Sequence, residues 1–482
     1  MNIFYILIVP VILAILPAIV KRPRALGIIN ATGHLLVLSG FTVFILKADL
    51  PVSLFKLFYI DALSAFFIFT IAIVTFATAL FSIDYIERDV ASSLISRNKA
   101  RAYYTLFNLF SLSMFLVPMA PNLAMVWIAI EMTTLTSAFL VGFYNTKTSI
   151  EAAWKYIMIC SVGIIFALFG TIIFYYAASL VGVKSLNWLD LVSAGPGMDK
   201  NLIKIAFLFI LVGYGTKAGL APMHTWLPDA HSQAISPVSA LLSGVLLKTA
   251  VYAILRFTII TNKCIGVDFS SKLFIIFALV SLAVSAGFII IQKHMKRLLA
   301  YSSIEHVGII FLGFGFGGAI GAYGALFHTL NHAVTKSLMF LGAANIIKKY
   351  KKDNMNMIKG VVSSMPFTGA MFTLGMFAII GMPPFSIFFS ELLILMAGFG
   401  RGLYLASGLY LFFIALIFGG MLFHFSKVLF GEKPDDMEVS KESASAKIVF
   451  IFLFVIAIIL GLAMPAFLNK IIVSGVAILE GV

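Results

Sequence analysis

The sequence predicts an all-α polytopic membrane protein with about 14 transmembrane helices. Of its 482 residues 61% are hydrophobic and only 11% are charged, whereas about half of a soluble domain is apolar. Long runs that are nearly free of charge, such as 3–20, 26–46 and 60–81, approach the ~20 residues that cross the hydrocarbon core of a bilayer. Basic residues gather in the short segments between such runs. A soluble globular class is therefore excluded.

The apolar runs are separated by short polar segments, which gives each predicted span its limits. We expect the first run to be a retained helix, because no small-residue cleavage site follows it and further spans do. The predicted spans are 3–20, 26–46, 60–83, 103–119, 122–144, 151–180, 202–220, 236–258, 272–292, 298–316, 320–347, 366–395, 403–423 and 448–465.

Alternation of the spans across the membrane divides the loop cations unequally. One side holds twenty: Lys21, Arg22, Arg24, Arg88, Arg97, Lys99, Arg101, Lys147, Lys293, Lys296, Arg297, Lys348, Lys349, Lys351, Lys352, Lys359, Lys427, Lys433, Lys441 and Lys447. The other holds ten: Lys47, Lys56, Lys184, Lys200, Lys204, Arg256, Lys263, Lys272, Arg401 and Lys470. Because positive loops stay in the cytoplasm, we expect the first group there and both termini outside. The formal charge of +14 is thus a topology signal rather than a sign of nucleic-acid binding.

Seven further charged residues fall inside predicted spans. They are Glu131, Lys155, Lys217, Lys248, Glu305, Lys336 and Glu391. A charge in the hydrocarbon core costs upward of ~2.5 kcal/mol, so such residues face the protein interior, pair with one another or line a water path. They could be structural ion pairs that lock helices together. Because seven such residues occur, together with several histidines in the spans, an ion path is favoured over structural ion pairs.

Two spans carry helix-breaking residues close to these charges. Gly219 and Pro222 follow Lys217, and Gly381, Pro383 and Pro384 precede Glu391. Proline removes a backbone donor, and irregular backbone at membrane depth is tolerated only inside protein or along a wet cavity. Paired broken helices in the two halves of a transporter indicate its ion path. Ordinary proline kinks are the alternative.

The spacing of the charged residues indicates an internal repeat. The matched pairs, with their separations, are Glu131 and Glu305 (174), Lys217 and Glu391 (174), Lys248 and His424 (176), and Lys155 and Lys336 (181). These pairs relate spans 4–8 to spans 9–13, and since five is odd, the second copy should be inverted across the membrane. We therefore divide the chain into an N-terminal region (1–102), a first repeat (103–258), a second repeat (259–423) and a C-terminal region (424–482).

The buried residues suit proton transfer. A solvated lysine has a pKa near ~10.4, and burial can lower it by several units, whereas a neighbouring carboxylate opposes that change; Glu131 is expected to modulate Lys217 in this way. His328, His332 and Lys336 follow at intervals of four and share one helical face, which makes a plausible proton wire. The His-x3-His pair could also bind zinc, but no third ligand accompanies it in the sequence, so we expect no metal.

Other cofactor classes find no support in the sequence. The chain has two cysteines, too few for a cysteine-ligated cluster or a disulfide framework; we place Cys160 in a span and Cys264 in a loop. No glycine-rich phosphate loop follows a predicted strand. We therefore predict no cofactor of its own. His224 and His231, in the loop after the first break, are left unassigned between a path mouth and simple solvation.

Several motifs resemble one known family. Residues 217–231, KAGLAPMHTWLPDAH, and 237–248, PVSALLSGVLLK, are similar to the signature of the antiporter-like subunits of respiratory complex I, Mrp-type cation/proton antiporters and energy-converting hydrogenases. Residues 127–131, 297–303 and 328–337 match as well. The stretches 151–160 and 303–308 resemble hydrogenase-4 component F in particular.

The resemblance implies a proton channel with a Glu–Lys pair at Glu131 and Lys217, a connecting Lys248 and an exit residue at Glu391. It implies a subunit of a cell-membrane redox complex, most like a nickel–iron hydrogenase of the formate-hydrogenlyase type, whose partners are other membrane subunits and a peripheral hydrogenase or dehydrogenase arm. Complex I membership, an Mrp-type sodium/proton exchanger and a purely structural anchor remain alternatives.

Overall fold

The computed structural model describes residues 3–55, 57–435 and 437–481. Lys56, which the topology prediction counts on the outer side, lies outside the described residues. Helices account for most of the described chain, which confirms the all-α prediction. One short antiparallel hairpin, β1 (Val52–Leu54) with β2 (Phe58–Ile60), was not predicted.

The first half of the chain forms eleven helices in the order of the predicted spans. They are α1 (Tyr5–Ile15), α2 (Pro23–Lys47), α3 (Ala62–Ala91), α4 (Arg97–Met119), α5 (Leu123–Val141), α6 (Lys147–Leu180), α7 (Trp188–Ala194), α8 (Lys200–Ala218), α9 (Trp226–Gln233), α10 (Ser236–Leu241) and α11 (Leu247–Ile265). A π-helical turn, Leu242–Leu246, joins α10 to α11 without interruption.

The remaining helices continue this pattern to the end of the chain. They are α12 (Val267–Ile291), α13 (Met295–Phe316), α14 (Gly318–Tyr350), α15 (Val361–Ser364), α16 (Pro366–Ile379), α17 (Ser386–Gly400), α18 (Tyr404–Phe430), α19 (Ala444–Leu462) and α20 (Ala466–Glu480). Every predicted span coincides with one of these helices or with a pair of them, α10 and α11 for span 8 and α16 and α17 for span 12. The helices α7, α9, α15 and α20 lie outside the predicted spans.

Eleven helices among the described residues are long and apolar enough to cross a membrane. The segments Tyr5–Ala18, Pro366–Ile379 and Ser386–Gly400 are apolar but shorter. A protein with so many apolar helices is a multi-pass membrane protein. The predicted count of fourteen spans therefore stays a prediction, since eleven helices in the described part of the chain reach spanning length.

Both predicted helix breaks are present, and glycine begins each of them. The helix α8 ends at Ala218 with Gly219 in the left-handed region at φ +82, and α9 begins only at Trp226. Between α16 and α17, Gly381 has φ +72. Residues with a Cβ seldom adopt such angles, so the glycines let the backbone leave the helical path at these two points.

The most deeply buried helices are α3, α11, α13 and α14, which lie at the centre of the helix assembly. They carry polar side chains that are fully enclosed, because the outer helices α2, α6, α12 and α18 surround them and expose mainly apolar side chains. In membrane proteins, ionisable side chains within the spans face the protein interior, where they are shielded from lipid, and they often mark functional sites. Much of the candidate site lies on these central helices, and its other members lie on α5, α8 and α17.

A buried ion pair fastens α11 to the start of α3. Arg256 Nη2 donates to Asp61 Oδ1 at 2.7 Å, and both side chains are at most 4% exposed. Its guanidinium also lies 4.2 Å from the ring centre of Trp188. The prediction that Arg256 belongs to an outer loop is wrong, because α11 extends beyond it to Ile265 and Asp61 neutralises its charge.

Candidate functional site

Lys217 lies at the end of α8, directly before the first break, and its ammonium is held by two hydroxyl groups. Lys217 Nζ donates to Thr134 Oγ1 at 2.8 Å and to Tyr156 OH at 2.6 Å. The side chain is completely buried, and the ring of Tyr156 packs on Trp226 of α9 with 4.7 Å between centroids. Neutral oxygen acceptors therefore replace water around this lysine.

Glu131 of α5 does not form a salt bridge with Lys217 among the described residues. Its Oε1 accepts a hydrogen bond from Ser161 Oγ at 3.5 Å, while the enclosed Oε2 has no hydrogen-bond partner in the described chain. Both Ser161 and Tyr156 belong to α6, so that helix contacts both ends of the expected pair. The predicted modulation of Lys217 by Glu131 would act through space and stays a prediction.

Lys248 begins the second group of buried side chains, one residue into α11. Its Nζ donates to the Ser243 carbonyl oxygen at 2.5 Å and to His332 Nδ1 at 2.5 Å. Ser243 belongs to the π-helical turn, which brings its carbonyl back toward the lysine. His332 lies on α14, so this contact joins the two halves of the chain.

Three histidines continue from Lys248 toward the second break. The ring centroids of His332 and His306 are 4.6 Å apart. His306 Nδ1 and His328 Nε2 share a hydrogen bond of 3.0 Å, and His328 Nδ1 is 2.9 Å from Ser390 Oγ. His328 and His332 lie on one face of α14, as their spacing predicts, but His306 of α13 stands between them in the row.

Glu391 closes the row at the second break. One of its carboxylate oxygens lies within 4.8 Å of ligand-type nitrogen atoms of His306 and His328. A Cβ added at Gly381 would collide with Glu391 Oε2, so the carboxylate rests directly on the backbone of the break. The predicted association of an irregular segment with a membrane-embedded charge is present here.

Lys336 and Glu305 are buried beside this row. Lys336 Nζ is enclosed on α14 and has no hydrogen-bond partner among the described residues. Glu305 of α13 is 4% exposed. Opposite charges in a low-dielectric interior attract over several ångströms. No salt bridge joins the two residues in the described part of the chain.

Lys155 is not buried, although its position within the predicted span 6 implied that it would be. It lies two turns into α6, where its Nζ contacts Glu151 Oε1 at 2.6 Å and Asp229 Oδ2 at 3.3 Å. Asp229 also binds Arg297 at 3.3 Å. The lysine avoids the desolvation cost by facing outward near the helix end, where acidic partners are available.

Three further histidines had no assigned role in the sequence analysis, and the structure places two of them in the interior. His231 of α9 is fully buried and stacks on Phe340 at 5.4 Å, and both of its ring nitrogens lack partners in the described chain. His224 is nearly buried and faces Tyr301. His424 lies apart from the row on α18, where its Nε2 contacts the Ile290 carbonyl at 3.0 Å.

Sequence reasoning missed Lys296 and His306 as interior groups and placed Cys264 in a loop. Lys296 is 5% exposed, and its Nζ donates to the Ala234 carbonyl at 2.7 Å; α13 begins three residues earlier than predicted and draws it inward. His306 had a signal in the sequence, since it follows Glu305 directly within a span. Cys264 lies in the last turn of α11.

Two contacts in the row from Lys248 to Glu391 have the chemistry for direct proton transfer. An ammonium can give a proton to a neutral imidazole, which accepts on one nitrogen and donates from the other. The direct contacts are Lys248 to His332 and His306 to His328, and the His332 and His306 rings lie side by side. Within the described residues no hydrogen bond joins Lys217 Nζ to this row, so a transfer between them requires an intervening carrier such as water.

Comparison with known proteins gives one family. Residues 120–419, which include the whole row, match the family described as NADH:quinone oxidoreductase/Mrp antiporter, TM. A relative described as a hydrogenase-4 component F homolog, from Methylacidiphilum infernorum, is 37% identical over 411 residues, or 85% of this chain and 86% of the relative.

Solved structures share the whole architecture. A chain of the membrane-bound sulfane sulfur reductase, an archaeal respiratory membrane complex, has a TM-score of 0.88 and 25% identity, covering 99% of this chain and 97% of that one. A chain of the Mrp complex from a Dietzia species has a TM-score of 0.83 and 18% identity over 99% and 96% of the two chains. Because the identity to the Mrp chain is only 18%, that match supports a shared fold and nothing more.

Proposed function

This chain belongs to the family of NADH:quinone oxidoreductase and Mrp antiporter membrane subunits, and on that premise we propose that it transfers protons within a membrane redox complex. It is an antiporter-like membrane subunit, and homologues of it are parts of multi-subunit complexes. In this proposal the chain carries no redox chemistry. Electron transfer in partner subunits supplies the driving force.

The row from Lys248 through three histidines to Glu391 carries the proposal. The lysine and the histidines are enclosed by protein, and each member of the row can hold and release a proton. A set of inert ion pairs would instead join each cation to a carboxylate, as Arg256 is joined to Asp61 at 2.7 Å. Lys217 and Lys248 are bound by hydroxyl, carbonyl and imidazole groups, which favours transfer over a structural anchor.

The proposed topology has fourteen spans, with spans 4–8 repeated in inverted orientation as 9–13 and both termini outside the cytoplasm. The two glycine-led breaks support the repeat, since they occur in the matched spans 7 and 12. The division of the chain at residues 102, 258 and 423 follows from this repeat. The excess of loop cations at one end supports the orientation in a cell membrane.

We propose a hydrogenase of the formate-hydrogenlyase type as the redox complex. The 37% identity to a hydrogenase-4 component F homolog supports this branch. Other membrane subunits and a peripheral hydrogenase arm would be the partners. Complex I membership is the second candidate, since a relative described as an NADH-quinone oxidoreductase subunit N from Desulforudis audaxviator is 32% identical over 60% of this chain.

Potential-driven proton flux into vesicles tests the function. The complex that co-purifies with the tagged chain is reconstituted, a potassium-diffusion potential is imposed, and internal pH is followed with a dye. We expect flux that is the same with and without sodium and that falls at least about 100-fold in Lys248→Met, because the variant lacks the proton donor to His332.

Two results would contradict the proposal. A flux that requires sodium would assign the chain to sodium/proton exchange. Equal flux in Lys248→Met and the unmodified complex would leave the buried charges with a structural role.

A further inference from the structure

Three side chains of the buried row form a set of metal ligands. His306, His328 and Glu391 each offer one ligand atom, and these atoms lie within 4.8 Å of one another. Two imidazoles and one carboxylate are a frequent ligand set of zinc sites that keep one open position. We propose that these residues bind a divalent transition metal of the zinc class and that the bound metal blocks proton transfer along the row.

The distance between the two imidazoles already suits a shared metal. His306 Nδ1 and His328 Nε2 are 3.0 Å apart. Two nitrogens bound at 2.0–2.1 Å to a tetrahedral zinc lie roughly 3.3 Å apart. A separation of a few tenths of an ångström is a small adjustment for two side chains, so the metal can replace the hydrogen that now joins the rings.

Each histidine keeps one proton when the metal binds. His328 carries its proton on Nδ1, which donates to Ser390 Oγ at 2.9 Å and leaves Nε2 free for the metal. His306 binds through Nδ1 and holds its proton on Nε2, so its tautomer changes and no net charge is lost. An outer hydrogen bond such as that to Ser390 orients a ligand imidazole and strengthens metal binding.

Gly381 sets the position of the carboxylate. Because a Cβ at this residue would collide with Glu391 Oε2, a larger residue here would displace the carboxylate from its present position. The zinc pair considered from the sequence, His328 with His332, is not the pair brought to a third ligand, since His332 Nδ1 binds Lys248. The third ligand lies 63 residues beyond His328, where helical spacing gives no signal.

The carboxylate is the least enclosed of the three ligands. Glu391 is partly accessible, whereas the two histidines are fully enclosed. Ligand type excludes sodium, magnesium and calcium as the preferred ions, since these favour sites made of oxygen atoms.

A bound metal would interrupt the row at the contact between His306 and His328. The hydrogen bond between His306 and His328 joins the Lys248 end to the Glu391 end, and both of its nitrogens would be metal-bound. A metal-bound imidazole nitrogen cannot accept a proton. The blocking effect rests on the proposed function, whereas the binding itself does not.

Cobalt absorption tests binding without any need for transport. The tagged complex in detergent is titrated with Co²⁺, whose visible bands are strong in tetrahedral nitrogen and oxygen sites, and zinc is then added as the competitor. We expect one Co²⁺ per chain, displaced by zinc. Glu391→Gln and His328→Gln should each raise the Kd at least about 100-fold, and Ser390→Ala about 10-fold, as loss of an outer partner does.

His332→Gln is the matched control, because this residue is equally buried in the row but is not a ligand in the site. Its Kd for Co²⁺ should stay within about twofold of the unmodified complex. Cobalt bands that persist in both Glu391→Gln and His328→Gln, or that disappear equally in His332→Gln, would overturn the site. Bands absent from the unmodified complex would overturn it as well.

Zinc inhibition of vesicle flux tests the blocking effect. Zinc should inhibit the unmodified complex, and Ser390→Ala should need about tenfold more zinc for the same inhibition. Cobalt binding together with zinc-insensitive flux would overturn the block. A complex that binds cobalt but shows no proton flux under any condition would overturn the proposed function, and with it the block, while the metal site would stand.

Discussion

Lys248 Nζ and His332 Nδ1 are 2.5 Å apart, and their hydrogen bond joins α11 to α14 across 84 residues of sequence. It is the only direct connection in the row between the two predicted repeats, as described in residues 3–55, 57–435 and 437–481. The lysine side chain has no carboxylate partner there. The ammonium is therefore held by a group that can itself take the proton.

Replacement of His332 by glutamine should stop transfer at this contact. Glutamine keeps similar volume and can accept the hydrogen bond, but it does not pass a proton at neutral pH. We expect flux to fall at least about 100-fold, with assembly unchanged. The control is His34→Gln, since His34 is equally buried but binds Asn108 outside the row. Similar losses in both variants would contradict a specific role of His332.

Lys217→Arg should inactivate as completely as Lys217→Ala. Arginine retains the charge but does not release its proton. Its guanidinium is also larger and planar, unlike the ammonium that Thr134 and Tyr156 hold. Proton flux and recovery of the assembled complex are measured together.

Tyr156→Phe is the matched control for Lys217, because it removes one hydroxyl partner and leaves the lysine in place. It should retain partial flux. An Lys217→Arg variant that transports normally would exclude proton release from this residue.

Glu131→Gln should reduce transport without loss of assembly. In a structural ion pair, removal of one charge leaves the other unpaired at a cost of ~3–5 kcal/mol, but Glu131 has no salt bridge in the described chain. We expect its carboxylate to favour the charged form of Lys217 through space, so the amide should slow flux and shift its pH optimum. Glu131→Asp should keep part of the activity. Poor assembly of the Gln variant, with no advantage of Asp, would assign the residue to the scaffold.

Arg256→Ala and Asp61→Ala should each destabilise the fold by ~3–5 kcal/mol, because each leaves its partner charged and buried. The double variant should lose less than the sum of the two. Thermal unfolding in detergent provides the measurement. Arg24→Ala is the control, since its salt bridge with Glu87 is exposed and should contribute at most ~1 kcal/mol. Additive losses would contradict direct coupling between Arg256 and Asp61.

The basic loops 84–101, 348–359 and 424–447 should be cytoplasmic. Single cysteines at the exposed positions Ser92, Lys352 and Glu438 should resist an impermeant thiol reagent applied outside, whereas one at Lys184 should react. Cys160 and Cys264 are buried, so background labelling should be low. Labelling of the first three and not of Lys184 would reverse the orientation, and a mixed result would contradict the span count.

Sequence reasoning located the helices well, because hydrophobic runs and helix-breaking residues are local signals. The breaks at Gly219 and Gly381 were predicted from their own neighbours. Helix ends were less accurate: a start at Met295 instead of 298 moved Lys296 from a loop to the interior. A shift of this size changes the environment of a charge completely, since one helical turn is 5.4 Å long.

Contacts between residues that are distant in sequence could not be predicted from such local signals. Arg256 meets Asp61 across 195 residues, and His306 meets His328 because α13 packs beside α14. Lys155 was expected to be buried because apolar residues follow it, yet its ammonium lies at the surface and pairs with Asp229 of α9. Apolar runs show how far a helix extends, but the packing of other helices determines which face is enclosed.

The π-helical turn Leu242–Leu246 offsets the two ends of one continuous helix. Before it, Ser239 Oγ donates to the His231 carbonyl at 2.8 Å; after it, Lys248 reaches His332. An α-helix rotates by about 100° per residue, and a π turn holds one residue more than the α turn it replaces. Deletion of one residue here would turn Lys248 by roughly that angle relative to Ser239, so a regular helix could keep either contact but not both.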